Sequence, residues 1–245
     1  MSAASDKFDY IAGFLRPKSI TTPLIRVGAF GDGGYLVPND FEGIAACYSP
    51  GISRQSTFEL DLAKHGIPSF MADASIDGPA IDIPGGCFIK KFVGPEDNED
   101  RLSIASWVAQ TDTAPNADLL LQMDIEGDEY ATIAAIPTDL LKRFRIIVLE
   151  LHRLPSVLCK EPFFNRARAA IDKMLPLFET VHLHTNNASG TVDVNGVDIP
   201  RVVEVTLLRK DRATVSGPVT QLPHPLDCKH KAGQPDIPVP AAWLG

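Results

Sequence analysis

Apolar residues along this chain fall into short continuous runs rather than alternating with polar ones. The runs are "GIAACYS" (43–49), "PSFMAD" (68–73), "DLLLQMD" (118–124) and "RIIVLEL" (145–151). Unbroken hydrophobicity over a strand's length predicts strands covered on both faces, as in parallel α/β sheets. Between the runs, "STFELDLAKHG" (56–66) and "EDRLSIASWVAQ" (99–110) carry apolar residues at helical spacing, as does "FFNRARAAIDKMLPLF" (163–178). Two later strands, "ETVHLHTN" (179–186) and "RVVEVTLLRK" (201–210), flank a loop of Asn and Gly with no helical pattern, so they are predicted to pair antiparallel. The pattern therefore predicts an α/β fold, a mostly parallel sheet with helices on both sides and an antiparallel hairpin closing one edge.

Three segments follow. Residues 1–40 read as a helix and the Gly-rich turn "GAFGDGGYLVP" (28–38), residues 41–214 as the main domain, and residues 215–245 as a proline-rich arm with Trp243 and Leu244 as candidate anchors.

Composition narrows the function classes. The 245 residues are 44% hydrophobic and 22% charged, with a net charge of −8. That balance disfavours nucleic-acid binding through a broad basic face, though not a small anion at one local site. Cys47, Cys87, Cys159 and Cys228 lie far apart without a C-x-x-C pair, which argues against a zinc site or a disulfide framework. No stretch reaches the length of a membrane span or has the apolar core of a signal peptide, so a cytoplasmic protein without membrane contact is expected. A homo-oligomer is left open.

Candidate chemistry gathers where the apolar runs stop. Ligands of open parallel sheets bind beyond the carboxyl ends of the strands. The runs here end in "SPGIS" (49–53), "ADASID" (72–77), "DIEGDE" (124–129) and "ELH" (150–152). Gly51, beside Ser49, lets backbone approach a ligand at a strand-to-helix turn, although one glycine also suits an ordinary turn. Asp73 is placed to accept hydrogen bonds from ribose hydroxyls, with Asp77 as competitor and a plain loop aspartate as the alternative. Asp128 and Glu129 read as acids at a helix start. Asp124 and Glu126 do not, and a carboxylate after buried leucines is costly unless paired, hydrated or ligand-bound. Glu150 and His152 repeat the theme one strand on. His182 and His184 share one side of their strand, suiting a metal or a substrate cleft, with no third ligand nearby in sequence.

The order of motifs resembles the FkbM-type methyltransferases. It is carried by "DGGYLVP" (32–38), "YSPGISRQSTFELDLAKHG" (48–66), "FMADASID" (70–77), "LLLQMDIEGDEY" (119–130), "IIVLELH" (146–152), "HLHTNN" (182–187), "EVTLLR" (204–209) and "LPHPLD" (222–227). The resemblance implies a Rossmann-like class I fold and S-adenosylmethionine-dependent methylation of a hydroxyl, on a sugar or another polyol. It places Gly51 and Ser49 at the cofactor, Asp73 at its ribose and Asp124 between cofactor and acceptor. The first loop departs from the glycine-rich form of the wider superfamily, having Ser49, Pro50 and a single Gly51. Candidates for the base that deprotonates the hydroxyl are His152, Glu150 and His184, in that order. Alternatively, Asp124 and Glu150 hold a Mg²⁺ that acidifies it. A nucleotide-sugar- or NAD-binding enzyme fits Gly51 and Asp73 equally, and a catalytically inactive binding protein of the same fold is the remaining alternative.

Overall fold

The computed structural model describes residues 3–244; residues 1, 2 and 245, the extreme ends of the first and last predicted segments, lie outside it. Seven strands form the central sheet: β1 (Ile44–Pro50), β2 (Ser69–Ala72), β3 (Cys87–Ile89), β4 (Asp118–Met123), β5 (Phe144–His152), β6 (Phe178–Thr185) and β7 (Val202–Arg209). Their spatial order is β6-β7-β5-β4-β1-β2-β3. The fold class is α/β, but the sheet is mixed rather than mostly parallel. β3, β2, β1, β4 and β5 pair in parallel, while β7 runs antiparallel to both β5 and β6. The link from β6 to β7 explains the reversal. It contains only the hairpin Thr191–Val194/Val197–Pro200, with no crossover helix to bring the chain back in the same direction. β6 forms the edge, and β7 is inserted one place inward.

Continuous apolar runs fit this position because both faces are covered. On one face Tyr48, Leu121, Leu149 and Val205 join a core with Trp107, Ile133, Phe164 and Ile171. Helix α1 (Glu161–Met174) reaches that core with Phe164, Ala167, Ala170, Ile171 and Met174, the three-and-four spacing of an amphipathic helix. On the other face Cys47, Leu120, Ile146 and Val148 pack with Phe58 and Leu62 of the helix Thr57–Lys64, and with Val27, Tyr35 and Val37. The last three belong to a hairpin, Leu24–Gly28 with Gly34–Pro38, which the Gly-rich turn closes.

The chain ends embrace the domain. The helix Ala3–Leu15 comes first, and Lys18–Ile20 then pairs with Val215–Pro218. The segment beyond has almost no regular structure, yet it is tied down. Trp243 is fully buried with its ring 6.3 Å from that of Phe8, and the Ile237 carbonyl accepts a 2.5 Å bond from Thr185. No helix among the described residues is long and apolar enough to cross a membrane.

Candidate functional site

The carboxyl ends of β1, β2 and β4 open into a cavity of about 810 Å³. It lies where the chain order reverses, β1 leading to β2 on one side and neighbouring β4 on the other. Gly51, Asp73 and Asp124, three residues singled out from separate strand ends, all line it. Gly51 has a φ of 82°, and a Cβ there would lie 1.5 Å from the Asp124 carbonyl oxygen. Only glycine permits this approach. The loops are also stitched together: Gly51 N–H donates to the Ala72 carbonyl at 2.8 Å, and Asp124 N–H to the Pro50 carbonyl at 3.2 Å.

Asp73 Oδ1 accepts from both the backbone N–H and the hydroxyl of Ser75 at 2.6 Å, while its other oxygen carries no hydrogen bond among the described residues. Its competitor Asp77 is an exposed side chain ion-paired with Lys90 and is not part of the wall. The wall adds the carboxylates of Asp32, Glu126 and Asp128, against Arg54, Arg101 and Arg153.

Ser49 is placed elsewhere than expected. It is fully buried and hydrogen-bonds Glu59 and Gln122 below the cleft, since strand alternation turns it toward the helix that carries Glu59. His184 is also absent from the cavity wall, and so are Glu150 and His152, although His152 touches the wall through Asp124.

A row of buried titratable groups runs away from the cavity across the sheet. Register places Glu150 of β5 opposite Glu204 of β7, and Glu204 opposite His184 of β6. Asp124, just past β4, lies beside Glu150, with ligand atoms of the two carboxyl groups within 4.8 Å of one another. Burial, reinforced by the Glu150 charge, holds the Asp124 carboxyl far above the usual range. Burial likewise raises Glu150, whose Oε1 accepts a 2.6 Å bond from Asn186. One oxygen of Asp124, Oδ1, is buried without a hydrogen-bond partner.

His152 stands among four acids. Its Nδ1 lies 2.9 Å from Oε1 of Glu129, while its Nε2 faces Asp124 at 3.8 Å and Glu126 at 3.5 Å. Burial alone would lower its pKa, but the Glu129 bond and charge, with Glu150 and Glu126, outweigh that and raise it. Glu129 is fully buried, and the same oxygen accepts from the N–H groups of Ile125 and Gly127. As a pure acceptor it selects the Nδ1–H tautomer of His152, leaving the Nε2 lone pair toward the cavity side.

Asp124, Glu150 and His152 offer ligand atoms within 4.8 Å of one another. With Oε1 of Glu150 taken by the Asn186 amide, few free oxygens remain for the octahedral shell of Mg²⁺.

Glu129, Glu204 and His230 were not legible as site residues. The pattern of a helix-start acid concealed the first, the lone acid in "VVEVTLLR" was the only sign of the second, and His230 has no local signal. No protein-family model matches the chain, and neither does any curated protein. The resemblance to the FkbM-type methyltransferases thus stands on the motifs themselves.

Proposed function

We propose that this protein is an S-adenosylmethionine-dependent O-methyltransferase of FkbM type acting on a sugar-like or other polyol hydroxyl. The observation that carries the reading is the convergence of Gly51, Asp73 and Asp124 on one cavity at the reversal of strand order. That is where nucleotide ligands of open α/β sheets bind. The order β3-β2-β1-β4-β5 supports a Rossmann-like arrangement, and the reversed β7 beside β5 suits the class I methyltransferase variant of it. Even with Asp124 held protonated, Asp32, Asp73, Glu126 and Asp128 outnumber the three arginines in the wall. An acidic excess favours a cationic donor over the pyrophosphate of NAD.

The residues present fit that donor. Gly51 leaves room where any side chain would collide with Asp124, Asp73 has an oxygen free for ribose hydroxyls, and Asp124 holds an unpartnered oxygen at the floor. When bound, S-adenosylmethionine supplies a methyl group on a sulfonium sulfur, open to in-line attack by an oxygen. The chain's own contribution is alignment and proton removal. His152, oriented by Glu129, takes the hydroxyl proton at Nε2, a role typically worth about 10²–10⁴ in rate. Asp124, whose carboxyl burial holds well above the usual range, hydrogen-bonds a neighbouring hydroxyl of the acceptor, with Glu150 behind it. A Mg²⁺ on Asp124 and Glu150 is the less favoured version, and activity that depends on added Mg²⁺ would restore it.

Calorimetric titration with S-adenosylhomocysteine, with NAD in parallel, tests the donor. Binding of the former alone is expected, and binding of NAD alone overturns the reading. Mass spectrometry of a metabolite extract incubated with enzyme and S-adenosylmethionine should then show a product heavier by one methylene unit.

A further inference from the structure

The far end of the buried row holds a ligand set that the methyl-transfer reading does not use. Glu204 and Glu150 face each other across neighbouring strands, and like charges so placed repel. Neither is ion-paired with a Lys or Arg among the described residues. Glu150 is relieved by the Asn186 amide. Glu204 is flanked by two imidazoles instead: His184 Nδ1 lies 2.9 Å from its Oε2, and His230 Nε2 lies 2.8 Å from its Oε1. The two rings stack with centroids 5.4 Å apart. All three side chains are at most 8% exposed.

We infer that His184, Glu204 and His230 form a binding site for one divalent transition-metal ion, zinc being the best match, which fastens the C-terminal arm to the sheet. Their ligand atoms lie within 4.8 Å of one another. A metal about 2.1 Å from each donor sets neighbouring donors about 3.0–3.4 Å apart, so the nitrogen–oxygen separations of 2.9 and 2.8 Å to Glu204 need to open by only a few tenths of an ångström. Two imidazole nitrogens and one carboxylate oxygen are a borderline donor set, suited to zinc, iron or cobalt rather than to magnesium or calcium. Hydrogen bonds also leave the His230 ring unsatisfied, because its Nδ1, the nitrogen that does not face Glu204, is buried with no partner. The neighbouring pair His182–Asp227, at 2.9 Å, is complete by contrast: Asp227 also accepts the His224 N–H at 2.7 Å. Geometry favours fastening over catalysis. His230 lies on the arm, whereas His184 and Glu204 lie on β6 and β7, and the trio is outside the cavity wall. Binding replaces the protons that join Glu204 to the imidazoles and releases them to solvent.

The test uses the full chain with any affinity tag removed. It is purified without chelator and assayed for metal by mass spectrometry, then stripped and titrated with Co²⁺ while the visible absorption is followed. About one equivalent of zinc-type metal, a Co²⁺ band saturating at one equivalent and a thermal midpoint raised by Zn²⁺ are expected. His230→Asn, which can still hydrogen-bond Glu204, should weaken Co²⁺ binding by about 100-fold or more. His152→Asn should leave the band in place. Absence of a stoichiometric Co²⁺ band in the wild-type protein overturns the inference, as does a band that survives His230→Asn and vanishes in His152→Asn. Neither outcome bears on S-adenosylhomocysteine binding, so this inference and the proposed reaction fail separately.

Discussion

At the ends of β1 and β2 the cavity is shaped by backbone. Gly51 is pressed against the Asp124 carbonyl, and Asp73 and Arg54 are the charged side chains that the loops after these strands add to the wall. At the ends of β5, β7 and β6 the sheet is crowded with acids and histidines set close together: Asp124 beside Glu150, Glu129 against His152, and Glu204 between two histidines. The first region suits a ligand recognised by shape and a few hydrogen bonds. The second keeps charges out of water at a cost to folding, the arrangement expected where proton transfer or ion binding is carried out.

Substitutions on the two sides should therefore fail differently. Gly51→Ala is expected to do the most damage, since a methyl group cannot occupy space 1.5 Å from a carbonyl oxygen. S-adenosylhomocysteine binding should be abolished and stability lowered by about 3 kcal/mol or more. A Gly51→Ala variant with wild-type affinity and melting temperature would remove the close approach from the account.

On the other side, His152→Asn should lower kcat by about 10²–10³ while leaving S-adenosylhomocysteine affinity within about twofold. The wild-type rate should climb with pH until His152 is neutral. Because Glu129, Glu150 and Glu126 raise its pKa above 6.5, that climb should be centred above 6.5, and it should vanish in the variant. A rate flat between mildly acidic and mildly alkaline pH would refute the assignment.

Asp124→Asn should separate function from stability. A carboxyl raised on folding contributes most below its unfolded value near 3.8, and that contribution is lost as pH rises. At neutral pH its ionisation opposes folding, so the amide should cut turnover by about 10-fold or more while raising the melting temperature by about 2–4 °C for each kcal/mol gained. Equal loss of both would mean that Asp124 is structural. The smallest effects set the boundary of the cavity. Asp73→Asn should weaken S-adenosylhomocysteine binding by about 10-fold, roughly one charge-assisted hydrogen bond, and Asp77→Asn should change nothing measurable.

Much of this plan was legible in the chain. Buried strands announced themselves as continuous apolar runs, and their polar ends named Gly51, Asp73, Asp124, Glu150 and His152. What misled was local pattern taken for local purpose. Ser49 read as part of the ligand loop, yet alternation turned it toward Glu59. Glu129 does open the helix Glu129–Ala135, as its position reads, but its carboxylate also turns inward to hold the imidazole of His152. The antiparallel pair closes one edge as expected, yet the sheet is mixed rather than mostly parallel, because hydrophobicity reports coverage of the faces and not the order in which strands are placed.

The amino-acid sequence by itself determined which segments are buried, where each strand ends and which end residues carry chemistry, because burial and turn formation depend on side chains close along the chain. Only the tertiary structure decided that β7 is inserted between β5 and β6, that Glu204 thereby faces both Glu150 and His184, and that the arm returns His230 to complete the set. Those contacts join residues tens of positions apart, and register across a sheet is fixed by the packing of whole elements rather than by any stretch of neighbours.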